Sequence, residues 1–384
     1  MFARRIDQLS SSLVRDILAA TKRPGMVSFA GGLPAEEALY RPDRLDAGLL
    51  ADAWQYGETE GEPALRAEVA RLGNVLGIAC TPAQVLIVNG SQQGIDLVSK
   101  LMIDEGTPVL TEAPAYLAAL QSFKLFSARF CPVSVGPEGA DLAGFERTLP
   151  DVRMAYLTPT FQNPSGYCYS DAERDAVAAA LDRHEVLLFE DDPYRALAYD
   201  GDAPQPIAGR LKSARWVYQG SFSKTLAPGL RLGFLIVHPD LVAPLTRLKQ
   251  AADLHSNRVS QTLIADLLAR GELERHVASV LPLYRERRDA MAAALQRNLG
   301  DRAHWQLPAG GLFFWLRLAQ PCDTMALMRR ALDAGIAVMP GEPFFPSGAD
   351  ASFLRLNFSH ANVAQIDEGI ARLAALLAAD NAAA

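Results

Sequence analysis

Cysteine is scarce in this chain of 384 residues: Cys80, Cys131, Cys168 and Cys322 are scattered, with no Cys-x-x-Cys pair. Neither a disulfide frame nor a cysteine-based zinc site is therefore expected, and free thiols suit a reducing compartment. Histidine is almost as rare. His184, His238, His255, His276, His304 and His360 show no spacing of the His-Glu-x-x-His kind, so no metal site is expected. Long apolar runs are also missing: FLIV and GLFFWL are strand-sized, far short of the ~18 residues that a membrane span requires. Nor is there a block of like charge. Lys and Arg total 37 against 44 Asp and Glu, a net charge of -7, which argues against a nucleic-acid partner. The first residues, MFARRIDQLSSSLVRDIL, contain Asp7 and Asp16 and no continuous apolar core, so they do not read as a targeting segment. A cytoplasmic protein with small-molecule partners is the expectation.

What the chain does have is an ample core, with 49% hydrophobic and 21% charged residues. From about Val85 onward, short apolar or β-branched runs alternate with amphipathic stretches: VLIV then SQQGIDLVSKLMI, PVLTE then YLAALQSFKLF, RMAYLTPT then SDAERDAVAAALDRH, followed by VLLFEDD, ARWVYQG and RLGFLIV. Such alternation predicts an α/β fold of three layers, a mostly parallel sheet with helices on both faces. Ser170 and Glu173 form a capping box that marks one helix start. After Asp240 the pattern turns helical through LVAPLTRLKQAADL, QTLIADLLARG and Leu273 to Leu299. A smaller α/β unit follows, with strands in WQLPAGGLFFWLRL, IAVMP and FLRLNF, a helix in TMALMRRALDAG and a last helix from about Asn362 that fades into DNAAA. An N-terminal helix in SSLVRDILAATK, stopped at Pro24-Gly25, is expected to pack with that unit.

Five clusters could carry chemistry. In QGSFSKTLAPGLRLGF, Gln219 to Phe234, Lys224 stands among Ser221, Ser223 and Arg231. As Ser-x-x-Lys this fits a serine nucleophile tuned by a lysine; alternatively the lysine itself captures an aldehyde as a Schiff base while the serines and Arg231 grip a phosphate. VNGSQQG runs a strand into a helix carrying Ser91 and Gln92 in its first turn, an arrangement that suits an anion or merely a cap. FQNPSG places Asn163 just past a strand; FEDDPYRAL ends another strand with Asp191 and follows with Tyr194, while Asp192 reads as a solvated neighbour. A carboxylate and a phenol so placed could meet one flat ligand, or serve only a turn and an ion pair. FLRLNFS puts Arg355 on a buried strand, where its fork would hold a carboxylate, either of a ligand or of a structural partner. Tyr56 and the glycine pair of FAGGLP have no reading from physics alone.

Together these motifs resemble the fold-type I pyridoxal-phosphate aminotransferases of class I/II, most of all the branch of α-aminoadipate and kynurenine aminotransferases. The resemblance runs from SSLVRDIL and FAGGLP through QYGETEG, GSQQ, APAY, FQNPSG, EDDPY, GSFSKTLAPGLRLG, ADLH and GGLFFW to FLRLNFS. It implies pyridoxal 5'-phosphate held by Lys224, which would also move the substrate proton, with Asp191 at the pyridine nitrogen and Tyr194 and Asn163 at the ring oxygen. Tyr116 would stack on the ring, where APAY carries Ala115 in place of a common small hydroxyl residue. Ser91, Gln92, Ser221, Ser223 and Arg231 would hold the phosphate, with Tyr56 reaching in from a second subunit of a homodimer with shared active sites. Arg355, helped by Asn163 and the backbone near Gly32, would clamp the substrate carboxylate. Arg15 resembles an arginine that meets acidic side chains, which favours 2-aminoadipate or glutamate as donor, while the same segment serves neutral and aromatic substrates in relatives and leaves an aromatic or aliphatic donor open; the implied acceptor is 2-oxoglutarate. The implied division is an N-terminal helix and arm at 1–45, a large cofactor-binding domain at 46–285 and a small α/β domain at 286–384.

Three other readings compete. A serine hydrolase would need Ser-Asp-Asn and Lys-Thr-Gly, but the chain has only SDA and KTL. A cofactor-sensing regulator would need a basic winged helix ahead of FAGGLP. Another reaction on the same cofactor, β-elimination or decarboxylation, stays open on sequence alone.

Overall fold

The computed structural model describes residues 2–8, 17, 23–42, 46–349 and 351–383. Of the expected N-terminal helix only Ile17 is among them, helical and buried; Arg15 lies outside the described residues. Val27–Ser28 forms β1. Eight further strands follow: β2 (Val85–Val88), β3 (Pro108–Ala113), β4 (Arg129–Gly136), β5 (Gly139–Ala140), β6 (Met154–Leu157), β7 (Leu187–Asp191), β8 (Trp216–Ser221) and β9 (Gly233–Val237). They make one sheet in the order β2-β9-β8-β7-β6-β3-β4-β5.

Every residue of β2, β6, β7 and β9 is buried, as expected of strands covered on both faces. Alternation then sorts the side chains: Val85, Ile87 and Leu188 face one apolar layer, Leu86, Val88 and Phe189 the other. The expected parallel pairing holds for β3 with β4 and β6, for β6 with β7 and for β7 with β8. β9 departs from it, lying antiparallel to both β8 and β2. A parallel return would need a crossover element. Instead, the chain between Ser221 and Gly233 is a loop with a single short helical turn, Pro228–Leu230, and that loop carries Lys224 and Arg231. The strand β4 and its hairpin partner β5, absent from the sequence pattern, extend the far edge because RFCPVSVG alternates in burial only in its second half.

Helices Pro239–Asp253 and Arg258–Ala269 lead into the long helix Glu272–Asn298, which continues across 285 and 286. Beyond it, β10 (Ala303–His304), β11 (Phe313–Leu318), β13 (Met339–Pro340) and β14 (Phe353–Asn357) form an antiparallel sheet, β10-β11-β14-β13. IAVMP is not one strand: β12 (Ile336–Ala337) pairs with β1 in parallel, and Met339–Pro340 pairs with β14. The N-terminal segment is thereby tied to the C-terminal unit. The last helix, Val363–Ala383, takes in the DNAAA tail up to Ala383 instead of fading before it. Among the described residues no helix is long and apolar enough to cross a membrane.

Candidate active site

Parallel strands β6, β7 and β8 present their carboxyl ends to the same edge of the sheet, where open α/β sheets collect ligands. Asn163 follows β6, Asp191 ends β7, and the loop after β8 carries Ser221, Ser223, Lys224 and Arg231. β2, antiparallel to β9 and hence parallel to β8, delivers Gly90 and the helix Ser91–Met102 to that same edge, while β14 delivers Arg355 from the C-terminal unit. Ser91 and all of the side chains just named, Gly90 excepted, line one cavity of about 430 Å³ together with Gly32, Gln92, Tyr116 and Tyr194. Tyr56 does not line it; the side chain is exposed at the surface, edge-on to His255 with ring centroids 5.7 Å apart.

One end of the cavity is built for an anion. Gly90 has φ +73°, and a Cβ there would come 2.7 Å from Arg231 Nη2, so glycine meets both the turn and the close approach. The helix that begins at Ser91 has free amide groups in its first turn, and the buried Ser91 hydroxyl has no hydrogen-bond partner among the described residues. Ser221, Ser223 and Arg231 complete that wall. A buried, unpartnered hydroxyl beside a guanidinium and a helix N-terminus fits a phosphate.

At the other end the buried Asp191 carboxylate accepts two neutral donors, Tyr156 Oη to Oδ2 and Gln219 Nε2 to Oδ1, each at 2.8 Å. Burial pushes its pKa up to about 6, while Gln219 and Tyr156 pull it down. Sequence reading missed Tyr156 and Gln219; the available signal was a polar side chain at the end of the otherwise apolar run WVYQ. Asp192, expected to be solvated, is instead buried, accepting from Arg195 Nε at 2.5 Å and from Tyr218 Oη at 3.1 Å. Neighbouring residues at a strand end point to opposite faces, so the two acids meet different surroundings.

Lys224 Nζ, between these ends, donates to the Gly32 carbonyl at 2.7 Å and has no carboxylate partner among the described residues. Burial, then the charges of Arg355 and Arg231, lower its pKa to about 8. At neutral pH its neutral, nucleophilic form is thus far more populated than for a free lysine at ~10.4. Arg355 is buried and also lacks a carboxylate among the described residues, against the structural ion-pair alternative. Its Nη1 donates to Asn163 Oδ1 at 2.8 Å and its Nη2 to the Ala30 carbonyl, the guanidinium lies 4.3 Å from the Phe313 ring centre, and Nε has no partner among the described residues. Such a fork is ready for an incoming carboxylate. Leu33, Gln121, Thr158 and Phe344, none of which stood out in the sequence, also line the cavity.

A phosphate seat, a buried acid and an unpaired lysine in one cavity fit a phosphorylated pyridine aldehyde. The class I and II aminotransferase family model matches residues 17–373. The 2-aminoadipate transaminase of Thermus thermophilus is 40% identical over 97% of this chain and 95% of that protein. In structure, the kynurenine aminotransferase of Pyrococcus horikoshii, solved with PMP, superposes with a TM-score of 0.92 at 31% identity, covering 99% of this chain and 97% of that one. The α-aminoadipate aminotransferase LysN of Thermus thermophilus, complexed with N-(5'-phosphopyridoxyl)-L-leucine, gives 0.91 at 36% identity over 100% and 98%. The fold is therefore that of the fold-type I pyridoxal-phosphate enzymes. Within that class the chain belongs to the class I and II aminotransferases and is a pyridoxal 5'-phosphate-dependent transaminase.

Proposed function

We propose that this transaminase takes the amino group of an L-amino acid with an acidic side chain, 2-aminoadipate or glutamate first, and passes it to 2-oxoglutarate. The observation that carries the mechanism is the pair of cations, Lys224 and Arg355, that face one cavity with no carboxylate partner among the described residues. When bound, the cofactor supplies an electron sink for the pair released as the substrate Cα–H bond breaks. Lys224 would hold the cofactor and serve as the base and acid that moves the proton at the substrate Cα. Asp191, kept anionic by Tyr156 and Gln219, would hold the pyridine nitrogen protonated. Tyr194 and Asn163 would donate to the ring oxygen, and Tyr116 would cover the ring face. Ser91, Gln92, Ser221, Ser223 and Arg231 would bind the phosphate, and Arg355 the α-carboxylate with help from Asn163 and Gly32.

The 40% identity to a 2-aminoadipate transaminase supports an acidic donor, and Arg15 would meet its distal carboxylate. Exposed Tyr56 suits a homodimer in which it completes the phosphate seat of the other subunit. The units 1–45, 46–285 and 286–384 would act as arm, cofactor-binding domain and small domain, in a cytoplasmic enzyme. A half-reaction screen tests this reading: 2-aminoadipate and glutamate should bleach the bound cofactor's absorbance at lower concentrations than kynurenine or leucine. The reverse order would discard the acidic donor, and no bleaching by any of them would discard the proposed reaction.

A further inference from the structure

Behind the phosphate seat lies a second buried lysine that the chemistry above does not use. Lys249, on the helix Pro239–Asp253, is fully buried. Its ammonium donates to Asp253 Oδ1 at 3.0 Å, to Ser256 Oγ at 3.0 Å and to Gln93 Oε1 at 3.3 Å. The same acceptors are shared with the turn that enters the helix Ser91–Met102. Asp253 Oδ2 accepts from Asn89 Nδ2 at 2.6 Å and from Gln93 Nε2 at 2.8 Å, and Gln93 Oε1 also accepts the Asn89 amide at 2.8 Å. Ser256 in turn donates to the Ile87 carbonyl on β2, at 3.1 Å.

The bonds to Asn89 and Gln93 end on the residues that flank Gly90, Ser91 and Gln92, the three positions that shape the anion seat, and Lys249 reaches them directly at Gln93 and through Asp253 at both. A buried ammonium is costly to keep without partners, and here its partners are spent on the backbone and side chains on either side of that turn. Lys249 and Asp253 cancel in charge, so the pair adds little attraction for an anion; what it supplies is geometry. A turn with a glycine at positive φ, pressed against Arg231, would otherwise be free to move the first amides of the helix out of alignment.

We infer that Lys249 is a positioning residue for the cofactor phosphate, acting through Asp253, Gln93 and Asn89 to hold the Gly90–Gln92 turn in its anion-binding shape. The inference rests on the assignment of the phosphate to Ser91, Gln92 and Arg231. Its test is the ratio of two affinities of the full-length, cofactor-stripped protein, for pyridoxal 5'-phosphate and for pyridoxal, which lacks the phosphate. Lys249→Met should lower the preference for the phosphorylated form by about tenfold, the scale of one lost charge-assisted hydrogen bond, and change pyridoxal affinity by less than ~2-fold. Should Lys249→Met fail to fold, Gln93→Leu, which leaves the ion pair intact, is expected to lower the same ratio. Equal weakening of both ligands, or an unchanged ratio, overturns the inference. Arg231→Ala separates the two ideas. If it lowers the ratio and Lys249→Met and Gln93→Leu do not, only the positioning role fails; if Arg231→Ala leaves the ratio unchanged, the phosphate assignment fails and takes the inference with it.

Discussion

Two lysines flank the turn at Gly90, and the protein treats them in opposite ways. Lys249 is sealed behind the turn and given an acid, a hydroxyl and an amide oxygen. Lys224 is set in the cavity in front of it with one backbone carbonyl and two arginines for neighbours. Both are drawn out of water, and burial lowers the pKa of both. Only Lys249 is repaid by a carboxylate, which favours its charged, unreactive form. The difference teaches how partners set the state of a buried lysine: where the fold removes water and supplies like charge instead of an acid, the neutral form gains at neutral pH. Asp191 and Asp192 repeat the lesson with opposite sign, one acid held by two neutral donors beside the cavity and the other neutralised by Arg195.

The sharpest way to break the comparison is to remove the reactive member. Lys224→Ala should reduce transamination by ~10⁴-fold or more and abolish the cofactor band that comes from covalent attachment, measured by coupled assay and absorbance. Retained turnover would mean that another group moves the proton. Next in size is Arg355→Ala, which should raise the KM for amino acids by ~10²-fold while leaving cofactor affinity within a few-fold, if the guanidinium lining the cavity binds the substrate carboxylate as proposed. Equal losses in both would return Arg355 to a structural role.

Smaller effects come from the donors and the charges themselves. Tyr156→Phe removes one of the two bonds that favour the Asp191 anion, so the acid limb of the activity profile should move upward by ~0.5–1 pH unit; a downward shift would show that Tyr156 does not stabilise the anion. The smallest effect concerns stability of the cofactor-free protein. Lys224 has a folded pKa of about 8, below its unfolded value of ~10.4, so its charge opposes folding at pH 7 and the penalty fades as pH rises through that interval. Lys224→Met should therefore raise Tm by a few degrees at pH 7, and the gain should shrink by pH 10. A gain that grew with pH would mean that burial is not what depresses this lysine.

Much of the fold was legible in the sequence because its signals are local. VLIV, VLLFEDD and the capping box at Ser170 report their own strands and helix through hydrophobic period and turn chemistry, and each appears where expected. The reversal of β9 was not legible: a strand's direction depends on whether the preceding chain crosses over, which no residue of the strand itself reports. Likewise IAVMP reads as one run, yet tertiary pairing divides it between two sheets.

The same division runs through the site. Residue type and motif order by themselves determined that a lysine, an acid at a strand end, a helix-entry hydroxyl and an arginine on a buried strand belong to this protein, since those properties lie within short stretches. Whether Lys224 would lack an acid, Asp192 would find Arg195, or Arg355 would reach Asn163 was decided only by the tertiary structure. Those outcomes depend on side chains brought together from distant strands, and on which of them the sheet and its loops shield from water.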